Sequence, residues 1–347
     1  MSDDFPTVRV AAAQAAPVFL ERDPTVDKVE GLVAEAARAG ARVVAFSESF
    51  VPGFPLWCLV RRPVDQHQLF RRLYANAVDV PGPVTQRLGD LAARHEVYLS
   101  VGITERSTAS TGGLFNTNLV FGPDGRLRLR HRKLVATWAE RLVWAHGDGS
   151  GLRTVDTEFG RLGMLICGEN TNPLARYALI AQGEHIHVAS WPPAWPFQRG
   201  GSVEDYQRWI EVRSAAHAFE GKVFTISVAG VLDEKAISTS AEGDPEAEEV
   251  LRAAPPAVSL AIGPSGRLLG KPLVGEEGIL YTDCDLGDCV TAKMAHDVVC
   301  GYQRLDVFEV RLNRRPQVPL RVTEHAEDEL VESVEKGPTP VVPPTLQ

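Results

Sequence analysis

Val8-Arg9-Val10-Ala11-Ala12-Ala13-Gln14-Ala15 is apolar enough to be a buried strand, and the segment after it decides the fold. From Asp23 the chain carries helix signals: Asp23 as N-cap, Pro24 in the first turn, apolar Val26, Val29, Leu32, Val33, Ala36 and Ala37 at helical spacing, and Gly40 as a stop. A second apolar run, Val43-Val44-Ala45-Phe46, comes at once. The pattern is β-α-β, and Glu48 falls just past the carboxyl end of the second strand, where open α/β sheets place their chemistry. The alternation continues with a helix over 84–95 and a strand over 97–104.

Two hairpin signals, Gly122-Pro123-Asp124-Gly125 and Gly263-Pro264-Ser265-Gly266, are each flanked by apolar runs and followed by Arg-Leu, as counterparts in two halves. Between them the patterning predicts a strand ending at Cys167, a helix over 173–182, a strand over 185–191, a helix over 203–219 and a strand over 223–229. Two such half-sheets, each with helices on one face, would bury their bare faces together as an α-β-β-α sandwich. Residues 232–256 are acidic and end in Pro-Pro, so they read as a solvated insertion. One domain over 7–310 is expected, with 311–347 a proline-rich, charged tail that wraps a partner subunit or is partly disordered.

Composition narrows the function. Hydrophobic residues are 44% and charged residues 23% of the 347, a globular balance. The 36 Lys plus Arg against 45 Asp plus Glu give a formal charge of −9, which disfavours nucleic acid as partner. An acidic amino terminus, and no apolar run of the roughly 18 to 20 residues a membrane helix needs, lead us to expect a cytoplasmic protein without a membrane partner. Five scattered cysteines without a Cys-x-x-Cys pair suggest reduced thiols.

Cys167 lies between a strand end and a helix start, whose positive field would lower its pKa and favour thiolate, making it a candidate nucleophile. By position alone, an isolated cysteine after apolar residues reads rather as a small core residue. Glu48, beside an apolar strand end and the aromatic and proline residues of 50–55, would be desolvated as a general base requires; otherwise it is an ordinary exposed acid. Lys133 and Glu140 stand seven residues apart among apolar side chains, and a lysine there can stabilise developing negative charge. Gly147 to Gly151 reads as a tight turn. His185 and His187 share a strand face without a third ligand, so they read as structural and no metal is expected.

Taken together, Glu48, Lys133 and Cys167 in that order resemble the nitrilase superfamily. Arg132-Lys133-Leu134, Glu140-Arg141-Leu142-Val143-Trp144 and Gly147-Asp148-Gly149-Ser150 look like its nitrilase branch, as do Cys167-Gly168-Glu169-Asn170 and Ala189-Ser190-Trp191-Pro192. The resemblance covers roughly residues 7 to 310. It implies the α-β-β-α fold, a Glu48-Lys133-Cys167 triad, Glu140 as second glutamate, and no cofactor. The chain departs from the family pattern in having Gly168 where Trp is usual after the nucleophile, and Ala136 where Pro is usual. A late Gly-His-Tyr-x-Arg-Pro-Asp segment survives only as Cys300-Gly301-Tyr302-Gln303-Arg304-Leu305-Asp306.

The expected activity is hydrolysis of a small-molecule nitrile to acid and ammonia through a covalent thioimidate and thioester. An amidase or carbamoylase using the same residues, and a catalytically silent binding module, are the rival readings. Trp57, Trp138, Gly168, Glu169, Asn170 and Trp191, with Trp195, are the expected pocket residues. Self-association is expected as a homodimer or larger, spiral assemblies included.

Overall fold

The computed structural model describes residues 5–196 and 203–320. Twelve strands are found among them: β1 Thr7–Gln14, β2 Val43–Phe46, β3 Tyr98–Arg106, β4 Leu114–Phe121, β5 Leu127–Arg132, β6 Val155–Thr157, β7 Gly160–Ile166, β8 Ile186–Trp191, β9 Phe224–Ala229, β10 Val258–Ile262, β11 Leu268–Val274 and β12 Gly278–Asp285. They form two six-stranded sheets, ordered β12-β1-β2-β3-β4-β5 and β11-β10-β9-β8-β7-β6.

The two sheets are built alike. In the first, β1, β2 and β3 are parallel, β4 and β5 follow as an antiparallel hairpin, and β12 closes the other edge antiparallel to β1. In the second, β7, β8 and β9 are parallel, β10 and β11 are the hairpin, and β6 lies antiparallel to β7. The two glycine-proline turns close the corresponding hairpins. The return of β12 to the first sheet, pairing Val8 with Cys284, has no local sequence signal, because strand pairing over such a separation is a tertiary choice.

Side-chain alternation along each strand separates the layers. Val8, Val10, Ala12, Val43 and Ala45 of the first sheet pack with Met164, Val188, Ile226 and Val228 of the second. The opposite face of the first sheet, including Ala11, Ala13, Val44 and Phe46, packs on the helices α1 Arg22–Arg38 and, beyond the short α2 Trp57–Val60 and α3 His67–Asn76, α4 Pro83–His95. Helices α5 Pro173–Ile180 and α6 Val203–Gly221 cover the second sheet. This is the expected α-β-β-α sandwich.

Two local readings need correction. Glu21, not Asp23, is the N-cap of α1, and Asp23 falls in its first turn. Residues 232–256 are not a structureless insertion: they hold α7 Glu234–Ala241 and α8 Pro245–Arg252, which bury Ala236, Ile237, Ala241, Ala247 and Leu251. Asp233 caps α7 by accepting from Ala236 N at 2.8 Å, and Asp244 caps α8 by accepting from Glu246 N at 3.0 Å. Their acidic residues serve caps, first turns and outward faces, which masks two short apolar stripes. A last helix, α9 Gly287–Ala295, follows β12. Of the expected tail, 321–347 lies outside the described residues, and no described helix is long and apolar enough to cross a membrane.

Candidate active site

Glu48 lies two residues beyond β2, in a loop pinned to β3 by Val51 N to Gly102 O at 3.0 Å and Thr104 N to Val51 O at 2.8 Å. Its own amide donates to Trp191 O at the end of β8, 3.3 Å away, so the carboxyl ends of the two sheets meet there. The crossing is possible because residue 102 is glycine: a Cβ there would collide with the Ser47 carbonyl and lie 2.5 Å from Ser49 N.

Lys133 leaves the end of β5, its backbone held by Lys133 N to Asn116 O and Gly147 N to Lys133 O, both 2.8 Å. Only 2% of its surface is exposed, yet its ammonium is satisfied. Nζ donates to Glu48 Oε1 at 2.7 Å and to Glu140 Oε1 and Oε2 at 3.0 and 2.7 Å. Glu140 is placed by its own short 3₁₀ turn, Trp138–Leu142, whose start it caps by accepting from Thr137 N at 2.8 Å. Thr137-x-x-Glu140 is thus both a local capping signal and half of a buried ion pair.

Cys167 follows β7 directly and opens a 3₁₀ turn, Cys167–Thr171, in a left-handed conformation with φ of 49°. A carboxylate oxygen of Glu48, one of Glu140 and Cys167 Sγ all lie within 4.8 Å of one another. Two buried residues after Cys167 hold the turn. Glu169 accepts from Ile166 N at 2.8 Å and Leu134 N at 2.6 Å and faces His131 Nε2 at 2.9 Å, tying the cysteine turn to the segment after Lys133. Asn170 Nδ2 donates to Cys167 O at 3.0 Å.

The electrostatics revise one expectation. Burial, and next the negative charge of Glu48, push the Cys167 thiol well above its ordinary value, so at rest it is a protonated thiol and not a thiolate. Helix α5 begins six residues later, at Pro173, and its first free amides, Leu174 N and Ala175 N, donate to the Asn172 side chain. Burial also raises the Glu48 carboxyl to about 7, against the opposing pull of Lys133. Burial disfavours the Lys133 charge, but Glu140 and Glu48 outweigh it and hold the ammonium well above its usual range. The cluster is a dry cation between two carboxylates, with a thiol alongside.

Beside it, segment 134–138 and Gly168, Glu169, Thr171 and Asn172, with Arg141 and Arg213, wall a surface depression of about 480 Å³. Of the expected pocket residues, Trp138, Gly168 and Glu169 line this depression, Trp138 being exposed. Trp57, Trp191 and Trp195 lie in the buried cluster that contains Cys167, and Asn170 is buried beneath the turn. The left-handed residue of the turn is Cys167 itself, and Gly168 is not among the residues with positive φ. Three further residues escape the sequence reading. Asn116 donates to Glu48 Oε1 at 2.6 Å; the polar run Asn116-Thr117-Asn118 inside an apolar strand is its signal. Arg213 reaches Thr171 Oγ1 at 2.6 Å, and Tyr206 brings a buried hydroxyl with no hydrogen-bond partner among the described residues. Both come from α6, which the chain reaches long after the site's other segments.

The carbon-nitrogen hydrolase family profile matches residues 9–294. A nitrilase of Paraburkholderia phymatum is 37% identical over 322 residues, covering 92% of this chain and 90% of the relative. An aliphatic nitrilase of Rhodococcus rhodochrous is 37% identical over 330 residues, covering 94% and 88%. Among solved structures, a carbon-nitrogen hydrolase from Helicobacter pylori superposes with a TM-score of 0.67 at 20% identity, over 87% of this chain and 97% of that one. An amidase from Nesterenkonia sp. gives 0.63 at 16%, over 86% and 94%. With two matched six-stranded sheets, a profile match across nearly the whole sandwich and nitrilases as its relatives, this chain belongs to the carbon-nitrogen hydrolase family, in its nitrilase branch.

Proposed function

We propose that this protein is a nitrilase that hydrolyses an organic nitrile to its carboxylic acid and ammonia, with Cys167 as nucleophile, Glu48 as proton acceptor, and Lys133 and Glu140 as the fixed charges around them. The observation that carries the reading is Glu48 Oε2. It is buried, has no hydrogen-bond partner among the described residues, and belongs to a carboxylate that burial has brought to about 7. A base of that strength beside a neutral thiol can take its proton as the sulfur attacks.

In the first step Cys167 Sγ adds to the nitrile carbon, its proton goes to Glu48 and on to the nitrogen, and a covalent thioimidate forms. Lys133 opposes the negative charge that develops on nitrogen. A water, oriented by Glu48 and Glu140, adds to the same carbon; the carbon–nitrogen bond breaks, and ammonia leaves with the protons delivered. A second water cleaves the resulting thioester, releasing the acid and returning the proton to the thiol.

The test is ammonia release from butyronitrile, benzonitrile and phenylacetonitrile, with butyramide, benzamide and phenylacetamide alongside, by wild type and by Cys167→Ala. Acid and ammonia are expected from nitriles, with less than about a thousandth of the rate left in the variant. Faster turnover of the amides would replace this reading with an amidase, and substantial turnover without Cys167 would reject the covalent route. Assembly into a homodimer or larger is part of the same reading, supported by the exposed Leu174 of α5 and Val212 and Phe219 of α6; a monomer in light scattering would count against it. Cytoplasmic residence is supported by five unpaired cysteines, and cell fractionation checks it.

A further inference from the structure

Behind the cysteine turn lies a buried chain of polar contacts that the hydrolytic steps do not use. Glu184, between α5 and β8, is completely buried and places one carboxylate oxygen 2.7 Å from His187 Nδ1 and the other 2.7 Å from His217 Nε2. The two imidazoles are stacked, with ring centroids 3.8 Å apart. His187 Nε2 in turn faces Asn170 Oδ1 at 2.9 Å, and Asn170 Nδ2 donates to Cys167 O at 3.0 Å and Leu165 O at 3.3 Å. Gly163 on β7 makes room for the arrangement, since a Cβ there would overlap the Glu184 carboxylate.

Donor accounting assigns each role. Two backbone carbonyls can only accept, so the Asn170 amide must point its NH₂ at them and its oxygen at His187. His187 Nε2 must therefore carry a proton. Its Nδ1 pairs with a Glu184 carboxylate oxygen at 2.7 Å, so both ring nitrogens of His187 are engaged in the sealed interior. In keeping with this, His187 and His217 outweigh burial to hold the Glu184 carboxyl down to about 2, while burial, and then the charge of His187, push His217 down to about 4. Both oxygens of Glu184 are occupied by imidazole nitrogens, and the one atom of the group left without a partner among the described residues is His217 Nδ1.

We propose that His187 is a positioning residue for the nucleophile: clamped by Glu184, it locks the Asn170 amide, which holds the left-handed Cys167 backbone and so aims the thiol at Glu48. A left-handed cysteine is disfavoured and persists only where neighbours over-determine it; the amide between Cys167 O and His187 is such a constraint. The proposal rests on the reading of Cys167 as nucleophile.

The experiment compares His187→Leu, which removes both ring nitrogens, with His187→Gln, whose amide can still donate to Asn170. Both are assayed on whichever nitrile of the panel wild type turns over fastest, well below their melting temperatures. His187→Leu should lose about tenfold or more in kcat with KM within about twofold, and His187→Gln should recover most of the loss. In an Asn170→Ala background, His187→Leu should add no further loss, because the route from His187 to the thiol is already cut. A His187→Leu enzyme with kcat within about twofold of wild type, or losses that multiply in the double variant, would overturn the proposal; a merely structural histidine would lower the melting temperature alone. If His187→Leu does not fold, Asn170→Asp decides: its carboxylate cannot donate to the two carbonyls, and normal kcat there would overturn the proposal equally. Cys167→Ala is measured in parallel. Activity in that variant rejects the nucleophile assignment itself, whereas its inactivity beside fully active His187 variants rejects only the positioning role.

Discussion

Lys133 donates to only one oxygen of Glu48: Nζ lies 2.7 Å from Oε1, while Oε2, equally withdrawn from solvent, is left without a partner among the described residues. The ion pair therefore anchors the carboxylate without using up its capacity to accept a proton. Breaking a buried pair by removing one partner is strongly destabilising, so the pair is a structural commitment as well as a chemical one.

Activity and stability should respond to pH in opposite senses through Glu48. Its carboxyl is raised by burial to about 7 in the folded protein, above the ordinary carboxylate value it recovers on unfolding. Proton acceptance needs the ionised form, so kcat/KM should rise with pH through about 7. A raised folded pKa means that its contribution to stability is fully present below the unfolded value and is lost as pH rises through the folded one. Wild type should therefore lose stability relative to Glu48→Gln between about pH 4.5 and 7, read from urea unfolding of the two. A constant difference across that window would exclude the raised value.

Glu140→Gln should keep the fold and lose turnover. The amide oxygen can still accept from Thr137 N and cap the turn, but Lys133 loses one of its two balancing charges. We expect kcat to fall by about 10²-fold or more with KM little changed, measured by steady-state ammonia release. A raised KM with kcat unchanged would make Glu140 a binding group instead.

Tyr206→Phe separates a catalytic hydroxyl from a core one. Burial pushes this phenol well above its usual value, so it stays protonated, and its buried hydroxyl is a donor without a partner among the described residues. Removing an unsatisfied buried hydroxyl should leave the melting temperature unchanged or higher. Should the hydroxyl bind substrate nitrogen, kcat/KM would fall by about tenfold; full activity would place Tyr206 in the core alone.

Gly102→Ala should damage the site from a distance. The added methyl meets backbone atoms of Ser47 and Ser49, which cannot move aside without displacing Glu48. We expect a loss of about 1–3 kcal/mol in urea unfolding together with reduced kcat, whereas an unchanged unfolding midpoint would show that the crossing relaxes easily.

Gly168→Ala, by contrast, meets only Thr137 Oγ1, at 3.0 Å, and a rotating side chain can yield. Because the left-handed residue is Cys167, glycine is not required for conformation at 168 and the alanine variant should be nearly as active as wild type. Gly168→Trp should occupy the neighbouring depression and discriminate against phenylacetonitrile relative to butyronitrile. Equal loss on both would move the specificity determinant elsewhere.

The elements that place the site are legible in the sequence because strand and helix periodicity, hairpin turns and glycine stops are local properties. The β-α-β start, the two glycine-proline hairpins and the strand running into Cys167 all rest on patterns a few residues long. The acidic segment after β9 misleads because caps and surface charge outnumber its five buried apolar residues. Glu48, Lys133, Glu140 and Cys167, which meet at the site, are singled out by the motifs that resemble the nitrilase superfamily. What one-dimensional spacing cannot carry is the environment. That the Cys167 thiol stays protonated, that Glu48 keeps a bare oxygen, and that Asn116, Tyr206 and the Glu184-His187-Asn170 chain stand behind the site depend on segments remote in sequence closing over the same small volume. Burial sets the cost of each charge, and burial exists only once β2, β4, β5, β7 and α6 have been brought together.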